Sequence, residues 1–508
     1  MKSEMMVPEQ QADALQHSLP VGDIDPAEFR AAMHRVADMV ADYLENVGEY
    51  SVSPDMQPGD LRAALPKAPP LHGQPLDTLL DDYKRLIEPN VTHWNHPGFM
   101  AYFAVTGSAP GILGEALCAA LNVNAMLWRT GPAPTELEEH VCDWLRQMMD
   151  LPKEFRGHIN DTASISSMLA LAAARERAGF DIRTKGMAGR ADLPQLTIYC
   201  SDQAHSSIDK AALTLGLGVE SCRRVASNDA FELDIDALER KIAEDKQAGC
   251  MPIAIVATIG TTSTTAVDPV AALADIAQRE GMWLHVDGAY AGSAAICPEY
   301  RAKYKGLERA DSFVFNPHKW LFVPVDCSIL MVRDEPLLKR TFSIIPAYLT
   351  SEEQGVTNLM DLGVQLGRRF RALKVWMVLR GFGQEGLQAR IRNHCRLAQE
   401  FASWVDASQN FERVAPVPFS TVNFVAKMPV GSKHAGKDWR EVYSQSEQDA
   451  YQAKLEDAVN AAGPVFISHT KLKDRYCLRL SVGNLRTTRE TLKTTWNLLR
   501  INQESLEL

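Results

Sequence analysis

Residues 311–320 read DSFVFNPHKW, a short apolar run that is followed at once by polar residues and by Lys319. Similar runs recur between about residues 157 and 333, and segments with helical spacing separate them. They lie at 196–200, 253–258, 283–286, 312–315 and 329–332. This alternation predicts an α/β fold with a largely parallel sheet. Because ligands bind at the carboxyl ends of strands in such sheets, the polar residues there are candidates for chemistry.

The regions on either side of this sheet have different patterns. Asp25, Pro26 and Glu28 form a capping signal for a first helix, whose apolar stripe must pack against another surface. A second helix is predicted around 76–87, and a long helical stretch after about residue 374 precedes a strand at 476–482. The sequence therefore predicts three parts: a helical segment at 1–108, a large domain at 109–373 and a smaller C-terminal α+β domain at 374–508.

The composition argues against several classes of protein. A formal net charge of −11 disfavours binding to a nucleic-acid backbone or an anionic membrane surface, and no apolar run is long and uninterrupted enough to span a bilayer. The nine cysteines are scattered without a short-spaced pair, and the first residues do not resemble a secretory signal. We therefore predict a cytoplasmic protein with reduced thiols and no metal site. We interpret its one basic cluster as an ion-paired structural segment: Arg368, Arg369, Arg371 and Lys374.

Two ionisable residues stand where predicted buried strands end. Lys319 follows the run at 312–315, and desolvation there would lower its pKa and make it a nucleophile toward a carbonyl group. Asp287 ends the run at 283–286, where a carboxylate needs a charged partner. Taken singly, Lys319 could extend from a strand end into solvent, and Asp287 could cap a turn. Because they close successive strands, they can also reach opposite sides of one small ring.

A third segment suits an anion. Residues 160–167 read NDTASISS and precede an Ala- and Leu-rich helix, so that free amides and hydroxyls face the positive helix end. Such residues are also common as simple helix caps. Together with Lys319 and Asp287, the segment fits pyridoxal phosphate, which offers an aldehyde, a pyridine nitrogen and a phosphate.

The chain resembles the group II pyridoxal phosphate-dependent decarboxylases, particularly the aromatic L-amino acid decarboxylases. The resemblance rests on nine segments in family order between about residues 25 and 500. They are FRAAMHRVADMVADYLENV (29–47), THWNHPGFMAYF (92–103), TELEEHVCDWL (135–145), SDQAHSS (201–207), ATIGTTSTTAVD (257–268), HVDGAYAGS (285–293), NPHKW (316–320), PAYL (346–349) and LGRRFRALKVWMVLR (366–380). The resemblance implies a fold type I enzyme and a homodimer in which the N-terminal helices pack onto the partner.

The resemblance also implies roles for individual residues. Lys319 would bind the cofactor as a Schiff base, Asp287 would contact the pyridine nitrogen, and His205 would stack on the ring. The remaining cofactor contacts are Ala163 and Ser164 at the phosphate, Asn316 and His318 beside it, and Thr258 near the ring hydroxyl. The implied substrate contacts are Trp94, Tyr102, Phe103 and Gly367. Tyr348, in a mobile loop of the family, would donate a proton to the substrate α-carbon.

The predicted reaction is therefore the decarboxylation of an aromatic L-amino acid to the aryl amine and carbon dioxide. Tryptophan, tyrosine, phenylalanine and dihydroxyphenylalanine remain open as substrates. One alternative is an aromatic aldehyde synthase, although phenylalanine usually replaces Tyr348 in those relatives. The apolar residues at Trp94, Tyr102 and Phe103 disfavour glutamate, and Gly367 disfavours histidine by resemblance. A noncatalytic protein that only binds the cofactor is a further alternative, which the joint presence of the proposed catalytic residues disfavours.

Five positions depart from the family pattern. Asp161 stands where glycine is usual in the phosphate loop, and a carboxylate there must point away from the phosphate or be paired. Ile165 replaces a glutamate, and Gly288 replaces an alanine beside Asp287. Val105 and Met126 replace a threonine and a phenylalanine of the substrate pocket. We therefore expect an apolar pocket with its own shape.

Overall fold

Helix α1 (Pro26–Asn46) begins where the sequence predicts its cap. The side chain of Asp25 accepts a hydrogen bond from the amide of Ala27 at 2.8 Å, which satisfies a donor that has no partner inside the helix. None of the helix residues is buried, and the side chains of Phe29 and Met33 are 55% and 42% exposed. The predicted apolar stripe is therefore present, but it is only partly covered within the described part of the chain, where Val36, Val40 and Leu44 are half-buried.

The computed structural model describes residues 22–344, 355–430 and 436–506. The chain divides into two compact units, Met1–His93 and Trp94–Leu508. Among the described residues, no helix is both long and apolar enough to cross a membrane.

Short helices complete the described part of the first unit. They are α2 (Asp60–Ala64) and α3 (Leu76–Asp82), and α3 continues as a π-helical turn at Tyr83–Ile87. Helix α3 and its π-helical turn together confirm the helix predicted around 76–87. Arg35 of α1 forms an ion pair with Asp77 of α3 at 2.9 Å, which links the two helices.

Seven strands form the central sheet of the second unit. They are β1 (Arg156–Asn160), β2 (Leu196–Ser201), β3 (Cys222–Val225), β4 (Met251–Thr258), β5 (Trp283–Asp287), β6 (Ser312–Phe315) and β7 (Ser328–Val332). Their order across the sheet is β1-β7-β6-β5-β4-β2-β3. β7 runs antiparallel to both of its neighbours, and all other neighbouring pairs are parallel. The predicted α/β class and the largely parallel sheet are confirmed.

Each of the five predicted runs lies in a strand, but the sequence did not indicate β1 or β3. Their sequences, RGHIN and CRRV, contain charged and polar residues instead of an apolar run. β3 is an edge strand, so only one of its sides is paired. In contrast, successive residues of central β4 enter different hydrophobic clusters, Ile255 in one and Val256 in the other. Both faces of the central sheet are therefore buried.

Nine helices accompany the central sheet in the described part of the second unit. They are α4 (Ala109–Leu121), α5 (Pro132–Met148), α6 (Ala163–Arg177), α7 (Ile182–Lys185), α8 (Ser207–Thr214), α9 (Ile235–Gln247), α10 (Val270–Glu280), α11 (Pro317–Trp320) and α12 (Glu335–Phe342). The long helix α13 (Arg371–Asp406) follows them and is interrupted at Gly383, whose φ is 64°. The predicted long helical stretch is thus present, with a kink.

A second, smaller sheet lies in the C-terminal region. Its strands are β8 (Phe411–Arg413), β9 (Thr421–Ala426), β10 (Ser468–Leu472) and β11 (Arg475–Ser481), in the antiparallel order β10-β11-β9-β8. The helices of this region are α14 (Trp439–Val442), α15 (Gln445–Ala461) and α16 (Arg489–Ser505). β11 confirms the strand predicted at 476–482, and the mixture of elements confirms the α+β character of this region.

The basic cluster that precedes and opens α13 is ion-paired. Arg368 bonds to the carboxylate of Glu138 at 2.7 Å, and these side chains are only 4% and 2% exposed. Arg369 bonds to Glu115 at 2.6 Å, with its own side chain 52% exposed. Two further pairs complete the cluster: Arg371 with Asp326 at 2.8 Å, and Lys374 with Glu115. The ion pairs support the structural interpretation of this cluster.

Arg368 and Arg369 allow a direct test of burial. We expect Arg368→Met to lower the free energy of unfolding by about 3 kcal/mol or more, because it leaves the Glu138 carboxylate buried without its cation. The adjacent Arg369→Met should cost about 1 kcal/mol or less, because Arg369 is half-exposed and Glu115 keeps its ion pair with Lys374. Urea unfolding of the two variants measures both values. Equal losses would contradict the structural role given to the buried pair.

Candidate active site

Several strands of the central sheet end at one cavity of about 200 Å³. β4 and β5 reach it with their last residues, Thr258 and Asp287, while β2 and β6 lead into the segments that carry His205 and Lys319. The lining comprises Phe103, Thr162, Ala163, Ser164, His205, Ser207, Thr258, Gly260, Thr262, Asp287, Ala289, Tyr290, Asn316, His318 and Lys319. The structure thus brings together every residue for which the sequence predicted a cofactor contact. Phe103, a predicted substrate contact, lines the same cavity.

Lys319 lies in α11, the short helix that follows β6. Burial lowers the pKa of Lys319; the Asp287 carboxylate opposes this shift, and the Arg479 guanidinium adds to it. The Lys319 Nζ atom lies 5.5 Å from the ring centroid of Phe103. A lowered pKa increases the fraction of neutral amine, which is the nucleophilic form.

Asp287 ends β5 and is only 4% exposed. Its Oδ1 atom accepts a hydrogen bond from the amide of Ala289 at 3.0 Å. His285, two residues earlier on the strand, lies 2.9 Å from the hydroxyl of Ser312 through Nδ1 and 3.0 Å from that of Ser167 through Nε2. Burial lowers the pKa of His285 to about 4, so this neighbour is neutral near pH 7 and does not pair with Asp287 as a cation.

Two histidines line the cavity, His205 and His318, and each accepts a backbone hydrogen bond at Nδ1. The amide of Ser207 donates to His205 at 3.1 Å, and the amide of Cys327 donates to His318 at 2.9 Å. Burial lowers the pKa of His205 and lowers that of His318 to about 3. Both side chains are therefore neutral near pH 7, with the proton on Nε2.

The first turn of α6 contributes the polar end of the cavity. Ala163 and Ser164 are its first residues, so their amides have no acceptor within the helix. Two buried polar atoms nearby in the lining, Oγ1 of Thr258 and Oδ1 of Asn316, have no hydrogen-bond partner among the described residues. Because buried polar groups are normally paired, these atoms indicate that the cavity accepts a polar ligand.

Asp161 does not line the cavity. Its Oδ1 atom accepts from the amide of Thr162 at 2.5 Å, and its Oδ2 atom accepts from the side chain of Gln365 at 3.2 Å. The carboxylate is therefore occupied by local donors, which accounts for an acidic residue next to an anion site.

Aromatic rings form one wall of the cavity. The ring of Phe103 stacks on Tyr290, with centroids 3.7 Å apart and planes 6° apart, and Tyr290 in turn stacks on Trp320 at 4.4 Å. The hydroxyl of Tyr290 lies 2.6 Å from that of Ser420, and burial raises the pKa of Tyr290. Sequence reasoning missed Tyr290, although it lies in the quoted segment 285–293.

Arg479 was also missed, and it comes from β11 of the small sheet. Its guanidinium donates to the carbonyls of Ala101 at 2.7 Å and Thr262 at 3.1 Å, and it lies 4.8 Å from the ring centroid of Phe103. Burial lowers the pKa of Arg479 to about 10. The signal in the sequence was a single arginine within the otherwise apolar run YCLRLSV.

The other predicted substrate contacts lie outside the cavity lining. Trp94 and Tyr102 stack on each other with ring centroids 5.9 Å apart, and Tyr102 is 52% exposed. Gly367 is exposed and lies near the side chain of Asn124. Tyr348, the predicted proton donor, falls outside the described residues.

Comparison with known proteins identifies a family that the chain matches over most of its length. The model of the pyridoxal-dependent decarboxylase conserved domain matches residues 58–427. Tyrosine decarboxylase 4 of Petroselinum crispum is 38% identical over 506 residues, which cover 97% of each chain. A phenylacetaldehyde synthase of Arabidopsis thaliana is 39% identical over 488 residues, which cover 94% of this chain and 96% of the relative.

Two solved structures superpose on nearly the whole chain. One is tryptophan decarboxylase of Catharanthus roseus in complex with L-tryptophan, with a TM-score of 0.87, 36% identity and coverage of 96% of this chain and 100% of the other. The second is the TDC of Oryza sativa with PLP and tryptamine, with a TM-score of 0.89, 35% identity and coverage of 96% and 99%.

The buried His285 predicts how stability depends on pH. Its folded pKa of about 4 lies below the ordinary value of 6.5, so its stabilising contribution is present above pH 6.5 and is lost as the pH falls toward 4. Between pH 6 and 4.5, His285→Asn should flatten the slope of the unfolding free energy against pH by about 1 kcal/mol per unit. Urea unfolding across this range measures the slope. Between pH 7 and 8 the variant and the parent should have the same slope, and a difference confined to that range would contradict the assignment.

Proposed function

The chain belongs to the pyridoxal-dependent decarboxylase family, and we propose that it is a carboxy-lyase that converts an aromatic L-amino acid into the aryl amine and carbon dioxide with pyridoxal 5′-phosphate. The observation that carries the proposal is the cavity, where a lysine amine, a buried carboxylate, an imidazole and a helix N-terminus meet. The mostly parallel seven-stranded sheet and the smaller antiparallel sheet form the arrangement of a fold type I pyridoxal phosphate-dependent enzyme.

The polar end of the cavity suits the cofactor phosphate. The amides of Ala163 and Ser164 face it from the start of α6, where the helix dipole favours an anion. Asn316 and His318 lie beside them in the lining. The unpartnered hydroxyl of Thr258 could donate or accept a hydrogen bond with a polar group of the cofactor, and the unpartnered Oδ1 atom of Asn316 could accept one. The residues present therefore fit pyridoxal phosphate.

Three side chains suit the cofactor ring. We assign Lys319 to its covalent attachment, Asp287 to the ring nitrogen and His205 to one face of the ring. When bound, the cofactor supplies a protonated ring that accepts electron density from the bond to the departing carboxylate. The buried carboxylate of Asp287 would hold the proton on that ring nitrogen, because an anion stabilises the neighbouring positive charge. The lowered pKa of Lys319 would favour its attack as a neutral amine.

The aromatic class of the substrate rests on the apolar wall and on the relatives. Phe103 and Tyr290 present stacked rings, and we assign substrate contacts to Phe103, Trp94, Tyr102 and Gly367. The similar proteins of known structure were solved with L-tryptophan or with tryptamine, and another relative is a tyrosine decarboxylase. We therefore propose tryptophan, tyrosine, phenylalanine or dihydroxyphenylalanine as the substrate.

After carbon dioxide leaves, the substrate α-carbon must gain a proton. We propose that Tyr348 donates it from its phenolic hydroxyl, on the basis of the PAYL segment at 346–349. The aldehyde synthase activity named for one relative is the second candidate, since it differs in the fate of the same carbon. Tyr348 favours the decarboxylase, because phenylalanine usually stands at this position in the synthases.

We also propose a homodimer in the cytoplasm. Leu113, Leu117 and Leu121 follow one another at four-residue spacing along α4 and are 58%, 52% and 60% exposed, so they form an apolar stripe that suits a symmetric interface. The nine cysteines, all within the described residues, are free thiols, which suits a reducing compartment.

Lys319→Ala tests the assignment of the lysine. Turnover of each aromatic amino acid should fall at least about 1,000-fold, because among the described residues no other amine lines the cavity to take the place of Lys319. Amine and carbon dioxide release measure turnover, and borohydride should attach the cofactor to the parent protein at residue 319 but leave the variant unlabelled. The exposed Lys305→Ala serves as the control and should behave as the parent. Near-native turnover in Lys319→Ala, with borohydride labelling of another lysine, would show that the assignment is wrong.

Tyr348→Phe separates the two candidate reactions. It keeps the aromatic ring but removes the hydroxyl that donates the proton, so the α-carbon should instead be oxidised by dissolved oxygen. Amine production should then fall, while aldehyde, ammonia and hydrogen peroxide rise at the expense of oxygen and water. Binding of the substrate should change little. Chromatography of amine and aldehyde, with a peroxidase-coupled assay, measures both products for each aromatic amino acid. If the variant forms amine at the native rate without aldehyde, the proton comes from another group, and His205 is the first to test.

A further inference from the structure

The segment at 201–209, which carries His205, is contacted by an arginine of the neighbouring edge strand. Nη1 of Arg224 in β3 donates to the carbonyl of Ser201 at 3.0 Å and to that of Ala204 at 2.7 Å. Nε of the same guanidinium donates to the carboxylate of Asp209 in α8 at 3.3 Å, and its Nη2 forms an ion pair with that carboxylate. One side chain therefore links the start, the middle and the end of the segment.

The other hydrogen bonds of the segment each join two nearby points. They include bonds from the amide of Gln203 to the hydroxyl of Ser201 at 3.0 Å and from the amide of Ile208 to the carbonyl of His205 at 3.2 Å. The amide of Ala204 donates to the carbonyl of Ser201 at 3.0 Å, and the amide of Ser207 donates to Nδ1 of His205 at 3.1 Å. Asp202 bonds to the backbone of β3 through its amide, which donates to Val225 at 2.8 Å. Each of these bonds joins only two points, whereas Arg224 spans the turn and reaches the helix that follows it.

We propose that Arg224 is a positioning residue, which holds the segment at 201–209 in place and so fixes where His205 enters the cavity. What His205 does there rests on the proposed function, but the restraint itself does not. The planar guanidinium is suited to the task, because its fork of donors can serve two carbonyls and a carboxylate at once. A lysine has one nitrogen and cannot reach all three with the same geometry.

The adjacent residue offers a matched control. Arg223 also lies on β3, but successive residues of a strand point to opposite faces, and its Nε bonds to the carboxylate of Asp245 at 2.9 Å. None of its described bonds reaches the segment at 201–209; its other hydrogen bonds go to the carbonyl of Glu220 and the thiol of Cys250. Removal of either arginine therefore deletes one ion pair of β3, but only Arg224→Met releases the segment.

Hydrogen–deuterium exchange on the cofactor-loaded enzyme tests the restraint. In Arg224→Met we expect the amides of residues 204–208 to exchange about tenfold faster, while Arg223→Met leaves them as in the parent. The kcat of Arg224→Met should fall about tenfold with little change in KM, and the visible circular dichroism of the bound cofactor should weaken. Arg224→Lys should restore part of the slow amide exchange and part of the kcat, because it keeps the charge but has only one donor nitrogen. A general loss of stability would instead affect both arginine variants alike.

The outcomes separate the restraint from the role of His205. Equal exchange in Arg224→Met and Arg223→Met would overturn the proposal. The proposal would also fail if Arg224→Met exchanged faster but kept its kcat, while His205→Asn had a lower kcat. If His205→Asn retains native turnover, the function proposed for His205 is wrong, and the exchange contrast between the two arginine variants still decides whether Arg224 holds the segment. Should Arg224→Met fail to fold, Asp209→Asn and Arg224→Lys carry the same measurement.

Discussion

Two opposite charges that are removed from water, on Lys319 and Asp287, constrain the rest of the site. Burial lowers the pKa of Lys319, whereas the Asp287 carboxylate raises it. Removing either group alone would therefore leave the other without a neighbouring opposite charge. The backbone couples their positions, because the hydrogen bonds between β5 and β6 continue beyond the strand ends. The amide of Gly288 donates to the carbonyl of Val314 at 2.9 Å, and the amide of Asn316 donates to that of Ala289 at 3.0 Å.

The strands that could be predicted from the sequence are those that consist of an uninterrupted run of apolar residues. Central strands such as β6 are buried on both faces, and their runs were visible in the sequence, whereas β1 and β3 have polar residues and were missed. The same limit applies to the cavity. Its strand-end residues could be predicted because parallel strands end together, but Arg479 arrives from a separate sheet, and no local pattern connects it with Phe103.

Two departures from the family pattern have local physical explanations. A Cβ atom at Gly288 would lie 2.6 Å from the ring of Phe313 and 2.9 Å from the Cα atom of Gly292, so the alanine usual at this position would require a shift of its surroundings. Gln365 and the amide of Thr162 occupy the carboxylate of Asp161. Residues that are distant in sequence therefore account for both departures: Phe313 leaves room only for a glycine at 288, and Gln365 donates to the carboxylate of Asp161.

The place of β3 at the edge of the central sheet has a consequence for association. A strand whose outer side is unpaired can template pairing with another chain, and natural proteins often prevent this with charged side chains. Arg223 and Arg224 point to opposite faces of this strand, so a second strand that approaches the edge meets a salt-bridged arginine side chain on either face. The polarity that hid β3 from sequence analysis is therefore of the kind that disfavours strand pairing at an open edge.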